Sequence, residues 1–419
     1  MSRFRLATNS RWQNFLLFLV ILGPGIITAM ADNDAGGITT YSLAGAQFGN
    51  KLLWSLLPTA VILIVMQEIA IRTGVVTRKA LSDLIRENYG VKITFFLMVA
   101  VLIADLGTTC AEFAGIAAST EIFHLTRYLT VPLAACLVWW LVVKNAYRRV
   151  EKVLLVGCVF YFAYIISGIL SKPDWSVVTR ATFHLSFEPT LAFVAMLVGV
   201  VGTTIAPWQQ FYMQSTVVDK GLTVKEYRFS RLDMIIGYVF TVIVAFFIIA
   251  ACSKQLYAHG IKIESAADAA LALRPLAGQY ASVLFAFGLF ISGLLAAAIL
   301  PLSTAFVICE GIGFEHGLDH SFHEAPEFYG LYTGIIALGA GLVLLPHAPL
   351  IGIMFWSQVI CGFILPPIFI LELLIINRRD LMGEWVNGRV YNIIAWSFTG
   401  VMILLNLTLV FLMVTHKTG

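Results

Sequence analysis

Asp32 and Asp34 lie in the run Ala31-Asp32-Asn33-Asp34-Ala35-Gly36-Gly37, between two long apolar stretches. Keeping an ionisable group in such surroundings is expensive, so carboxylates there mark a functional site. In an intact helix residues two apart do not share a face, but in unwound backbone they can converge. The simplest partner for such a pair is a cation. Glycines free the backbone from its hydrogen-bond ladder, and carbonyls released there, such as that of Ala31, would add oxygen ligands. A second interrupted run, Gly202-Thr203-Thr204-Ile205-Ala206-Pro207-Trp208-Gln209-Gln210, would offer carbonyls near Thr203. Asp34 sits deeper in its break and is the expected direct ligand. For Asp32 a direct role and a cap on the broken helix end are equally open.

Other groups carry less specific chemistry. Asp105 and Glu112 are seven residues apart, hence on one helix face. They suggest a polar path from the site, or else a structural pairing with polar residues of a neighbouring helix. Gln358 offers a carbonyl oxygen to a cation, although a lone Gln more often bonds between helices. His316, His320 and His323 fall in the loop 311–327, which has four acids and no base. A solvated acidic loop is expected there, loose metal binding being the other reading. The six cysteines show no CxxC spacing and are expected to be buried apolar residues without a disulfide framework. No HExxH or GxSxG motif is present, nor a Ser/Lys pair with a supporting base, so an enzyme is not expected.

The elements that must position these residues are membrane helices. The chain of 419 residues is 59% hydrophobic and 12% charged, with a formal net charge of +3. Soluble domains carry about 25% charged residues, so lipid is the expected solvent, and nothing suggests a nucleic-acid partner. Eleven segments are apolar enough to span: 13–47 and 190–217 (both interrupted), 52–72, 93–121, 128–146, 151–171, 232–252, 280–309, 328–346, 349–376 and 391–414. The basic N-terminus runs through Gly23-Pro24-Gly25 without an A-x-A cleavage pattern, so it reads as the first span and not a signal peptide. With the N-terminus in the cytoplasm, 19 of the 27 Lys and Arg fall on the inner side and eight outside. That places the C-terminus outside, in a multi-pass protein of the plasma membrane. Breaks on spans one and six occupy corresponding positions in two halves, the pattern of an inverted-repeat transporter with its site at mid-membrane.

The run from Gly23-Pro24-Gly25 through Ala31 to Gly37 resembles the first helix of the Nramp metal-ion transporters. Gln67 with Arg72-Thr73-Gly74-Val75-Val76-Thr77 is similar to that family too. So are Ala111-Glu112-Phe113, Ser357-Gln358-Val359 and Arg379-Asp380-Leu381-Met382-Gly383. The resemblance implies an all-α, LeuT-like fold in one transmembrane domain covering 1–419. Its inverted repeats of five helices would span about 13–171 and 190–376, with an extra helix at 391–414.

The departures are informative. Asp34 matches the family's metal-binding aspartate, but Gly37 stands where the family has its ligand Asn. Ala206 stands for its Met and Trp208 for its His, and Thr109 replaces an acid. A thioether favours soft transition metals, so its loss removes discrimination against hard Mg²⁺. The small residues at 37 and 206 are expected to open room for an ion that keeps its water. The pattern is similar to the Nramp-related magnesium transporters. It implies alternating-access uptake of partly hydrated Mg²⁺, and Mn²⁺, through Asp34, Ala31, Gly37, Thr203, Ala206 and Gln358. Asp32, Trp208, Asp105, Thr109 and Glu112 would lie beside the site or along a pathway. Without the His and the acid, transport is expected to be uncoupled from protons. The alternatives are a proton-coupled transition-metal transporter and a LeuT-fold carrier of an organic cation or amino acid. A monomer without a cofactor is expected.

Overall fold

The computed structural model describes residues 31–144, 160–317 and 322–416. The first half of span one with Gly23-Pro24-Gly25, Cys158 and His320 lie outside the described residues. All regular structure among the described residues is helical. In chain order the helices are α1 (Ala35–Phe48), α2 (Leu53–Thr77), α3 (Leu81–Glu121), α4 (Arg127–Val143), α5 (Tyr161–Leu170) and α6 (Trp175–Phe183). There follow α7 (Leu191–Thr204), α8 (Pro207–Asp219), α9 (Tyr227–Gln255), α10 (Ala266–Ala270), α11 (Arg274–Ala277) and α12 (Ala281–Ile312). The last four are α13 (Pro326–Val343), α14 (Leu350–Ile376), α15 (Arg379–Met382) and α16 (Arg389–His416). Seven segments among the described residues, α7 and α8 taken as one, are long and apolar enough to cross a membrane.

Local chemistry sets the helix ends. Thr126, Asp174 and Thr190 cap α4, α6 and α7 with side-chain oxygens. Arg78 ends α2 in the left-handed conformation, φ 55°. α3 begins twelve residues before the expected span because a short polar helix precedes it. Gly90 (φ 83°, ψ 167°) joins the two segments, and only glycine adopts that conformation readily.

Small residues bring helices together where the site is built. A Cβ on Gly202 of α7 would lie 2.2 Å from the Gln358 carbonyl oxygen and 2.4 Å from the Gly362 nitrogen of α14. One on Gly115 of α3 would lie 2.2 Å from the Ala35 Cβ of α1. Backbone approach of this kind lets helices associate in lipid without a hydrophobic driving force. At the far end of α2, Arg72 donates to Glu68 at 3.0 Å, to the Trp385 carbonyl at 2.8 Å and to Asn387, while the Tyr227 hydroxyl also bonds Glu68. These bonds fasten α2 to α9 and to the segment before α16.

One expectation is corrected. The described cysteines are all free, but Cys136 is exposed, not buried. It shares α4 with the exposed Leu133, Leu137 and Trp140, an apolar surface suited to lipid.

The Gly202 contact yields a prediction. Gly202→Ala should cost about 1–3 kcal/mol through overpacking, read as a lower thermal midpoint of the purified protein in detergent. An unchanged midpoint would show that α7 and α14 are farther apart than this.

Candidate metal-ion site

Both breaks are shorter than their sequence motifs. Ala31 and Asp32 are still helical, Asn33 bends, and Asp34 is extended (φ −72°, ψ 178°) before α1 begins at Ala35. In the sixth span Gly202 to Thr204 stay in α7, and only Ile205 and Ala206 leave the helix. Pro207 then starts α8, where its missing N–H costs nothing.

Each break is held from outside. The Tyr161 hydroxyl of α5 donates to the Asn33 carbonyl at 2.8 Å. The Gln209 amide of α8 donates to the Asp32 carboxylate. Tyr41 of α1 and Thr204 of α7 share a 2.7 Å hydroxyl–hydroxyl bond that joins the two broken spans. Asp34 caps α1, its Oδ1 accepting from the Gly37 N–H at 2.5 Å. Glu112 of α3 accepts from the Ala35 N–H at 3.1 Å.

Oxygen atoms converge beside Gly37. The point where its Cβ would sit is 3.0 Å from Thr203 Oγ1, 3.1 Å from Asp34 Oδ1 and 3.2 Å from the Asp32 carbonyl oxygen. The Gln358 amide closes on Gly36, its Nε2 being 1.9 Å from that residue's Cβ position. Several acceptors in this region have no hydrogen-bond partner among the described residues: Asp32 Oδ2, Glu112 Oε1, Thr203 Oγ1 and Gln209 Oε1. Buried acceptors without donors are what a cation satisfies. Among the described residues no three His, Cys, Asp or Glu form a metal-holding group. An ion here would therefore depend on carbonyl, hydroxyl and amide oxygens as well as carboxylate.

The structure thus brings Asp34, Asp32, Gly37, Thr203, Gln358 and Glu112 together. Two expectations change. The carbonyl at the Gly37 point is that of Asp32, one residue beyond Ala31. Gly37 leaves no open room, because Thr203 and Asp34 close on it; Asp34 is only 4% exposed. Ala206 is buried in the break, and Trp208 is buried with its ring edge against Tyr212 and its carbonyl accepting from Ser303. Asp105 and Thr109 are engaged elsewhere. Asp105 accepts from Thr304 of α12 at 2.8 Å, and Thr109 bonds the Asp105 carbonyl and packs at Gly339 of α13. His316 lies 3.9 Å from Glu310, and His323 sits by Phe322. Gln209 and Tyr161 were not anticipated. Gln209 stands two residues after Pro207, in the motif already singled out, whereas nothing local marks Tyr161.

The sequence profile of the family described as Nramp, natural resistance-associated macrophage protein-like, matches residues 25–412. The chain belongs to the Nramp family. It is 28% identical over 406 residues to the divalent metal cation transporter MntH of Deinococcus radiodurans, covering 93% of this chain and 88% of that one. It is 26% identical over 424 residues to the MntH of Burkholderia ambifaria, covering 97% and 92%. Among solved structures it is similar to the manganese transporter of Eremococcus coleocola, with a TM-score of 0.79 at 21% identity over 96% of this chain and 88% of that one. The nucleobase-cation-symport-1 family transporter MHP1 aligns with a TM-score of 0.57 at 13% identity, covering 94% and 91%. The Nramp chain described here is therefore a multi-pass membrane protein with an all-α, LeuT-like fold, and its relatives are transporters, not enzymes.

The Asp32–Gln209 bond carries a prediction. Gln209→Leu strands a buried carboxyl without a donor and should cost about 1–3 kcal/mol, seen as a lower unfolding midpoint. Gln209→Glu should not restore it, since it supplies a second acid. A native midpoint in the Leu variant would remove Gln209 from the support of the break.

Proposed function

We infer that this Nramp protein carries divalent cations across the membrane by alternating access, Mg²⁺ foremost and Mn²⁺ as well, without obligatory proton coupling. One observation carries the reading: the atoms that meet beside Gly37 are all oxygens, from Asp34, Asp32 and Thr203. Oxygen suits Mg²⁺ and Mn²⁺, whereas Ala206 and Trp208 supply neither thioether nor imidazole at the positions where the resemblance places them. The printed functions of the bacterial relatives, divalent metal cation and manganese transport, support the substrate class.

The site as described is closed and contracted. A hydrated ion would enter only after α7 withdraws Thr203 from Gly37, so the water shell belongs to an open state. The membrane potential favours inward movement of a divalent cation by about 4.6 kcal/mol per 100 mV, enough to drive uptake alone. The plasma membrane with a cytoplasmic N-terminus is the setting that fits the distribution of Lys and Arg.

A second reading has its own support. Glu112 accepts from the N–H of Ala35, the residue after Asp34, so a carboxyl able to hold a proton stands beside the proposed ion ligand. That favours proton-coupled transport and is why coupling must be measured.

Proteoliposomes separate the readings. Asp34→Ala should reduce Mg²⁺ and Mn²⁺ uptake to the level of empty vesicles, and unchanged uptake would overturn the site. In the native protein Mg²⁺ influx should leave luminal pH constant; acidification that tracks influx would establish coupling instead. Ala206→Met, alone and with Gly37→Asn, should weaken Mg²⁺ uptake relative to Mn²⁺. Gly37→Asn must also displace Thr203, so the single Met variant is the cleaner test of ligand softness. An unaltered Mg²⁺-to-Mn²⁺ ratio there would count against the oxygen-ligand account.

A further inference from the structure

A cavity of about 560 Å³ opens at the end of the bundle where α1 and α9 finish, beneath α6. Lys51, Asp174, Arg180, His184, Lys254 and Tyr257 line it. Three of the eight Lys and Arg that charge counting assigns to the outer side, Lys51, Arg180 and Lys254, therefore converge on one cavity.

Their partners are few. Lys51 is ion-paired with Glu188 at 2.5 Å. Asp174 is occupied at the start of α6, accepting from the Ser176 hydroxyl at 2.7 Å, the Ser176 N–H at 2.9 Å and the Val177 N–H at 3.4 Å. Those bonds, the Ser176 hydroxyl first, hold its carboxyl below the ordinary aspartate range, so it remains ionised. Arg180, His184 and Lys254 make no hydrogen bond or ion pair among the described residues, Lys254 feeling Asp174 only through its field. The cavity keeps an excess of positive charge.

The surroundings are those of a membrane interface. α6 turns Trp175, Val177 and Phe183 outward, Phe183 being 77% exposed, and Leu185 and Phe187 continue the apolar surface. Val178 faces inward and is buried. The Trp54 indole donates to the Ser186 carbonyl at 2.9 Å, at the cavity edge. Trp and Tyr with one apolar and one polar end collect at the headgroup level of a bilayer. A short helix with one apolar face lies along such a surface.

We propose that this cavity binds the phosphate of an anionic phospholipid, with Arg180 and Lys254 as its cationic contacts and the acyl chains lying along the exposed face of α6. Guanidinium is matched to a phosphodiester through two parallel N–H bonds, and lysine adds a point charge. A zwitterionic lipid brings its own ammonium into an already positive cavity, so charge complementarity selects the anionic headgroup. The bound lipid joins three elements: α6, which connects the two halves of the chain, the end of α1, whose start Asp34 caps, and the end of α9. This site stands apart from the ion-site reading, because none of its residues belongs to that site, and neither depends on which face of the membrane is outermost.

Native mass spectrometry of the purified full-length protein in detergent tests it, with dioleoylphosphatidylglycerol, dioleoylphosphatidylcholine and inorganic phosphate as probes. The phosphatidylglycerol adduct should half-saturate at a concentration roughly fivefold lower for each cation engaged, one such contact being worth about 1 kcal/mol. Arg180→Gln with Lys254→Gln should erase the preference over phosphatidylcholine. The swap Arg180→Lys with Lys254→Arg should keep it, which also shows that change at these positions leaves the fold intact. Equal retention of the two lipids by the native protein overturns the proposal. So does a preference that survives in the Gln pair or is lost in the swap. Displacement of phosphatidylglycerol by millimolar inorganic phosphate would assign the cavity to a free anion and overturn the lipid as occupant.

Discussion

In lipid a backbone N–H or C=O that leaves its helix has no water to turn to, so the protein must supply each partner. The rest of this structure depends on that constraint at the two helix breaks. The Asn33 carbonyl is met by Tyr161 from α5, the Ala35 N–H by Glu112 from α3 and the Gly37 N–H by Asp34 itself. At the second break proline begins α8 without needing a partner for its nitrogen. Left without a partner among the described residues beside the breaks are oxygens of Asp32, Thr203, Glu112 and Gln209, together with the side-chain nitrogens of Asn33, Trp208 and Gln210. Unpartnered oxygens in a dry interior are what a cation would satisfy, and the proposed ion site rests on them.

The fold and the two helix breaks were legible because lipid imposes long apolar runs, and a run that contains Asp-Asn-Asp or Ala-Pro-Trp-Gln cannot be a plain span. The breaks around Asp34 and Ala206 were visible on that ground. Their length was not. Gly202 reads as a helix breaker, yet it stays helical because its missing side chain is needed for α7 to touch α14. Likewise Gly37 reads as room for an ion, whereas Thr203 has moved into that room. Residue type shows that a side chain is absent but not which neighbour takes its place. Tyr161 lies more than a hundred residues from Asn33 in an apolar helix, and no local pattern separates it from the other interior tyrosines. Asp105 and Glu112 share a face of α3 as their spacing requires, but α12 claims one and α1 the other.

Small residues have two separable uses here. At Gly115, Gly202 and Gly362 they set interhelix distance, bringing main chains close enough that a methyl group would collide. At Gly37 the missing side chain lets carbonyl, carboxylate and hydroxyl oxygens of Asp32, Asp34 and Thr203 approach one point. The two uses are linked, because α7 carries both Gly202 and Thr203. The helix contact that needs the first glycine delivers the hydroxyl of the next residue to Gly37.

Asp34 is the residue immediately before α1, with its carboxylate turned onto that helix's first amides. The amino end of a helix carries a partial positive charge. A cation held by Asp34, as proposed, would be pushed by the helix that Asp34 caps, with part of the carboxylate's attraction spent on those amides. On the proposed reading, such a site would hold its ion loosely. A carrier is limited by how quickly it lets go, and a deep well on Asp34 would make it a store. If Asp34 is the ligand as proposed, its place at the repelling end of α1 would trade residence time for turnover.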